Sequence, residues 1–226
     1  SSSADREKLC GYFREIKESG DSLMVLLNDL LDLSKLESGK MTYEFSRGDL
    51  GKIVEQVVAE SAALTEKRQL RMVSAIDDIS TLAVFDSFRI LQVLRNLVSN
   101  AGKFSNPGGT IQIKLSGASI TNDYGEVPAI ELSVVDSGIG IPESELELIF
   151  DKFSQSSLTD KGSGGTGLGL AICRQIVEAH GGEIFAFNNL EGGATFSLRI
   201  PCEGPIAMLR AQDALVNQKS LEGDPS

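Results

Sequence analysis

The sequence predicts an α+β fold: a mixed sheet with helices on one face, preceded by a long N-terminal helix. Runs of strand period and runs of helix period are interleaved without regular alternation, which argues against a doubly wound parallel sheet. Residues 4–37 contain no Pro and are dominated by a seven-residue period. Two later segments place apolar residues at helical spacing directly behind an Asp, the residue type that caps helix N-termini.

In order along the chain, Leu9, Ile16, Leu23 and Leu30 recur every seven residues, with Tyr12, Leu26 and Leu33 in the second seam position. This heptad stripe predicts a helix packed against other helices. The plainer alternative is a helix lying on the globular domain. Ser38 and Gly39 end it. A short strand is expected over 41–45. Asp49 then caps a helix carrying Ile53, Val54, Val57, Val58 and Ala62. Strands are expected over 70–76 and 82–85. Asp86 caps a helix with Phe88, Leu91, Leu94, Leu97, Val98 and Ala101 on its apolar face. Asn106, Pro107, Gly108 and Gly109 make a turn. Strands follow over 110–115 and 129–135, a helix over 166–180, and strands over 183–188 and 194–200. A Gly-rich segment fills 151–165, and a polar tail follows Pro201 with one weak helical stretch, 206–216.

The 226 residues allow one medium domain plus an attachment. A net charge of −11 repels phosphate backbones and anionic membrane, which disfavours nucleic acid as a partner. No apolar run reaches the ~18 residues that a membrane crossing needs. Cys10, Cys173 and Cys202 match no disulfide framework or metal spacing and read as reduced thiols of a cytoplasmic protein.

Three segments carry chemistry. On the helix after Asp86, Gln92, Asn96, Asn100 and Lys103 are spaced by four, four and three, and so form one polar stripe opposite the apolar face. Asn offers a neutral oxygen to a hard cation and donors to phosphate; Lys adds a point charge. Next, Asp136 ends the alternating run Ile130, Leu132, Val134 and is followed by Gly138 and Gly140, which let a flat ligand approach the backbone. A carboxylate there can accept from an exocyclic amine. Third, Gly162, Gly164, Gly165, Gly167 and Gly169 run into a helix start, where free amides bind anions. No Gly-Lys-Ser/Thr follows, so this is not a P-loop.

Taken in order, these segments resemble the sensor histidine kinase family. Residues 96–104 resemble its N box, 136–142 its G1 box, 149–153 its F box and 165–170 its G2 box. Residues 28–39 resemble the end of its second dimerisation helix. The likeness spans roughly residues 5–201.

The resemblance implies a Bergerat-type two-layer α/β sandwich that holds ATP beneath a flexible lid, here about residues 153–165. It implies Mg²⁺ on Asn100, with Asn96 and Lys103 at the phosphates as the catalytic pair and Phe104 near the adenine. Asp136 would accept from the adenine amine, with Thr195 supporting it through water, and Gly138, Gly140 and Ile141 would line the base pocket. Lys152 stands where the family often has Arg, beside Phe153. Thr166, Gly167, Leu168 and Gly169 would close on the phosphates. Family relatives that hydrolyse ATP carry a Glu at the position of Asn96; a carboxamide cannot act as a base, so transfer is expected over hydrolysis.

The family's acceptor histidine lies on a first dimerisation helix. The one histidine here, His180, stands at a helix end before Gly181 and Gly182 and reads as structural. The expected organisation is a second dimerisation helix over 1–40, an ATP-binding domain over 41–203 and a tail or linker over 204–226. The expected partners are ATP, a phosphoacceptor-histidine helix, a response regulator and a second copy through the N-terminal helix. On this reading the chain binds ATP and does not autophosphorylate; the alternative is a nucleotide-binding signalling module without phosphotransfer.

Overall fold

The computed structural model describes residues 2–122, 125–158 and 166–205. The weak helical stretch over 206–216 and the glycines at 162, 164 and 165 lie outside the described residues. No helix among the described residues is long and apolar enough to cross a membrane.

Helix α1 (Ser2–Glu37) ends where Gly39 takes a φ of +64°. The Lys40 amide donates to Lys35 O at 2.9 Å and the Gly39 amide to Leu36 O at 3.1 Å, satisfying two terminal carbonyls. The seam residues Leu9, Tyr12, Ile16, Leu23, Leu26 and Leu30 are exposed, whereas Leu33 is buried against the domain. Among the described side chains of α1, only those of its C-terminal turns use the globular core.

Residues 41–45 do not form the expected strand. They have no ladder partner, and the Glu44 amide donates to the Asp86 carboxylate instead, at 2.9 Å. The ladder begins one residue later: β1 (Ser46–Asp49) pairs antiparallel with β3 (Leu82–Phe85). Asp49 caps α2 (Leu50–Glu60) by accepting from the Gly51 amide. A break at Ser61 separates α2 from α3 (Ala62–Arg68), so the single helix expected here is two.

The main sheet has five strands in the order β2 (Arg71–Ile76), β4 (Thr110–Asn122), β5 (Gly125–Val135), β7 (Ala194–Pro201), β6 (Glu183–Asn188). β2 runs parallel to β4 and every other pair is antiparallel. Register puts Ile113, Val134, Phe196 and Ala186 in one row and Leu115, Leu132, Leu198 and Ile184 in the next. Those rows face the core; the alternate row Lys114, Ser133, Ser197, Phe185 faces away. The β4–β5 hairpin continues past its apolar stretch, because ladder hydrogen bonds hold a polar tip that has little core to mark it in sequence.

Helix α4 (Ser87–Phe104) lies on the core face. Ile90, Val93, Leu94 and Leu97 are fully buried, and Leu91, Val98 and Ala101 nearly so. Each such burial contributes ~1.5–3 kcal/mol for a large aliphatic side chain. Phe88 departs from expectation: it lies in the first turn, exposed, with the Arg89 guanidinium over its ring. α5 (Gly169–Ala179) starts three residues later than expected, because Thr166 to Leu168 form a bend in which the Thr166 hydroxyl accepts from the Leu168 amide.

His180 ties these parts together. It is fully buried, with Nε2 accepting from the Asp86 amide at 3.0 Å and Nδ1 facing Ile176 O at 2.7 Å. Only the neutral imidazole can accept at Nε2, and burial pushes its pKa below the ordinary 6.5. Tyr43 and Phe45 meet the ring edge-on. The folded chain thus binds this proton less readily than the unfolded chain. The stability this gives is full above pH 6.5 and is lost as pH falls toward the depressed folded value. Urea unfolding of the wild type and His180→Gln between pH 7.5 and 5.5 should show a steeper loss in the wild type. Parallel pH profiles would remove His180 from this role.

Candidate functional site

One cavity of about 460 Å³ opens beside α4. Because the apolar face of α4 is fixed on the sheet, Gln92, Asn96, Asn100 and Lys103 all line that cavity. The Asn100 amide nitrogen donates to Asn96 Oδ1 at 3.0 Å, which leaves the Asn100 carbonyl oxygen for a cation. Burial pushes the Lys103 pKa down, with a further push from Arg68, and its ammonium lies 4.8 Å from the Phe104 ring centre.

The opposite wall begins at the end of β5. Asp136 is buried, and its Oδ1 accepts from the Gly138 amide at 2.8 Å and the Ala194 amide at 3.1 Å. Burial raises its pKa; the two amides pull it back toward the ionised form. Gly140 and Ile141 extend this wall, and Phe196 joins from β7. Thr166, Gly167 and Gly169 close the cavity at the start of α5. A Cβ on Gly169 would stand 2.2 Å from the Asn96 amide nitrogen, so only glycine lets α5 approach α4 this closely.

Ten of the expected site residues border the cavity: Asn96, Asn100, Lys103, Phe104, Asp136, Gly140, Ile141, Thr166, Gly167 and Gly169. Five do not. Gly138 is packed against the end of α4, where a Cβ would strike the Phe104 carbonyl at 2.4 Å. Lys152 is half exposed and ion-paired with Glu37 of α1 at 2.5 Å. Phe153 is exposed, with its amide donating to Gly167 O. Leu168 is buried in the core. Thr195 is buried and donates its hydroxyl to Asn189 Oδ1 at 2.6 Å. Of the expected lid, residues 159–165 lie outside the described residues.

Sequence reasoning missed the contribution of α1. Val25 and Asp29 line the cavity mouth, and Asp29 accepts from the Thr166 hydroxyl at 3.0 Å. Nearby, Asp32 accepts from Arg89 at 3.3 Å and Gln92 at 2.9 Å. The heptad pattern marks an apolar stripe and carries no signal for these polar contacts.

The family described as histidine kinase-, DNA gyrase B- and HSP90-like ATPases matches residues 85–204, more than half of the chain. The chain belongs to that family of ATP-binding domains. Within it, the circadian input-output histidine kinase CikA of Synechococcus elongatus is 37% identical over 196 residues, covering 84% of this chain and 24% of CikA. The chain thus spans about a quarter of that relative's length. Full-length ShkA, solved in complex with AMPPNP, superposes with a TM-score of 0.70 at 27% identity, covering 86% of this chain and 39% of ShkA. Histidine kinase ThkA, solved in complex with the response regulator TrrA, gives a TM-score of 0.64 at 27% identity, covering 84% of this chain and 50% of ThkA.

The Asp29 carboxylate in the cavity lining would oppose a phosphate chain that binds there. Burial already raises the Asp29 pKa. Asp29→Asn should therefore strengthen ATP binding severalfold at low salt, with the gain shrinking as ionic strength rises. Adenosine, which lacks phosphates, should bind the two chains equally. Calorimetric titration at two salt concentrations checks this; an equal gain for adenosine would point to helix displacement rather than charge.

Proposed function

We propose that the chain is the ATP-binding catalytic region of a sensor histidine kinase. It transfers the γ-phosphoryl group of ATP to a histidine outside these 226 residues, for relay to a response-regulator aspartate. The observation that carries this reading is the convergence of Asn96, Asn100, Lys103, Asp136, Thr166, Gly167 and Gly169 on one cavity.

Asp136 selects the adenine amine, and Gly140 and Ile141 flank the base. Asn96, Lys103 and the amides at the start of α5 hold the phosphates. Among the described residues, no group of three His, Cys, Asp or Glu side chains could cage a metal. A Mg²⁺ carried by phosphate oxygens, with one further oxygen from Asn100, fits this donor set. Bound there, the ion neutralises phosphate charge. In transfer, the acceptor imidazole nitrogen forms a P–N bond as the P–O bond to ADP breaks. Asn96 stands where a hydrolysing relative has a Glu to orient water, and it cannot take a proton from water.

His180 does not serve as the acceptor, being buried with both ring nitrogens engaged. The exposed heptad stripe of α1 supports a bundle with a second copy and with the histidine-bearing helix. On this reading residues 1–40 are the dimerisation helix, 41–203 the catalytic domain and 204–226 a tail. The ThkA complex with TrrA supports a response regulator as partner.

Asn100→Ala should abolish the part of ATP affinity that depends on Mg²⁺, leaving Mg²⁺-free binding nearly unchanged. Calorimetry with and without Mg²⁺ reads the difference, and a variant that keeps full Mg²⁺ dependence sinks the assignment of Asn100. The reaction class has its own assay. The chain with Mg²⁺–ATP alone should release no phosphate steadily, and phosphohistidine should form once the histidine-bearing helix is supplied. Steady phosphate release by the chain alone would overturn transfer in favour of hydrolysis.

A further inference from the structure

The turn that joins β6 to β7 grips both ends of the base-facing loop, residues 136–141. Asn188, the last residue of β6, makes two hydrogen bonds to one backbone unit. Its Oδ1 accepts from the Ile141 amide at 2.8 Å, and its Nδ2 donates to Ile141 O at 2.6 Å. Asn189 holds the other end: its Nδ2 donates to Asp136 O at 3.0 Å. Asn189 is itself oriented by the Thr195 hydroxyl and by its own amide, which donates to Gly193 O at 3.0 Å. Gly193 is drawn so close that a Cβ there would stand 2.1 Å from Asp136 O. Neither asparagine is predicted by strand propensity, and neither is needed to fill the core, since β6 buries Ile184 instead.

The consequence falls on Asp136. Its Oδ1 is occupied by the Gly138 and Ala194 amides, so Oδ2 is the oxygen presented to a base. That orientation depends on where residues 138 and 194 lie, and therefore on the clamp at both ends of the loop. A carboxylate oxygen fixed in place attracts the exocyclic amine of adenine and repels the carbonyl oxygen that guanine carries at the same position. A carboxylate free to rotate loses that contrast.

We propose that Asn188 and Asn189 are positioning residues for purine discrimination, holding residues 136–141 so that Asp136 accepts adenine and rejects guanine. The inference rests on the nucleotide reading of the cavity given above. Neither asparagine touches the base; both act through backbone atoms of the loop.

The test compares the parent chain with Asn188→Ala, Asn189→Ala and the near-isosteric Asn188→Asp, which keeps the acceptor for Ile141 and loses the donor. Calorimetry gives the affinities for ATP, GTP and inorganic tripolyphosphate. Thermal unfolding confirms that each variant is folded. Loss of one or two part-buried hydrogen bonds should weaken ATP binding up to about tenfold. GTP should weaken less or not at all, so the ATP-to-GTP ratio falls, and tripolyphosphate affinity should stay at the parent value. A merely structural role would weaken all three ligands together, and that result overturns the proposal. A folded Asn188→Asp chain with the parent's ATP-to-GTP ratio also overturns it. A parent chain that binds no ATP refutes the nucleotide reading and the proposal with it; a parent that binds tripolyphosphate but not ATP selectively refutes the base subsite alone.

Discussion

The fold and the site depend on one constraint: α4 must bury its apolar face against the five-stranded sheet. Ile90, Val93, Leu94 and Leu97 fix the helix rotation, because turning it by one residue, 100°, would expose them. At ~1.5–3 kcal/mol for each such side chain, that rotation is far outside thermal reach. The polar stripe has no freedom of its own. Gln92, Asn96, Asn100 and Lys103 face the cavity because the core holds the other side of the same helix. This separates the two kinds of residue energetically. Truncating a core residue costs ~2–5 kcal/mol of stability, whereas the stripe is half-buried and can change chemistry with little effect on folding.

The same division explains what the sequence made legible. α4 was readable in both roles because an amphipathic helix writes its two faces at different phases of one period. The strands at 82–85 and 183–188 carried compact apolar runs between polar ones. What stayed hidden depends on pairing between distant residues. The outer half of the β4–β5 hairpin is held by ladder bonds with little apolar burial, so composition does not mark it. Residues 41–45 look like a strand, but the Asp86 carboxylate and the His180 ring claim them. Thr195 and Lys152 occupy motif positions yet spend their polar atoms on Asn189 and Glu37. A motif fixes residue type; it does not fix which neighbour reaches the side chain first.

Glycine placement shows how the walls of the cavity were brought together. The start of α5 approaches α4 so closely that the Asn96 amide occupies the space of a Cβ on Gly169. The loop over 136–141 likewise rests on the end of α4 at Gly138. The two contacts join segments more than thirty residues apart in sequence, and both meet the helix whose rotation the core has set. An acidic chain of net charge −11 can hold a polyanion under these conditions. Backbone amides at a helix start and Lys103 would act on it at short range, where screening is weak, while the surface charge acts through solvent.

Helix α1 packs on this arrangement through its C-terminal turns. It meets the domain through Leu33 and Leu36 and through four polar contacts: Asp29 with Thr166, Asp32 with Arg89 and with Gln92, and Glu37 with Lys152. The Glu37–Lys152 pair is largely exposed, and exposed pairs are worth ~0–1 kcal/mol. The Asp32–Arg89 pair is more buried, but it too gives up hydration to form. The ion pairs therefore add little to docking, and most of it comes from burying Leu33 and packing Leu36 on the core. One of those contacts uses the Thr166 hydroxyl at the cavity wall. A ligand that needed that hydroxyl would compete with α1, and the two would then weaken each other by an equal free energy.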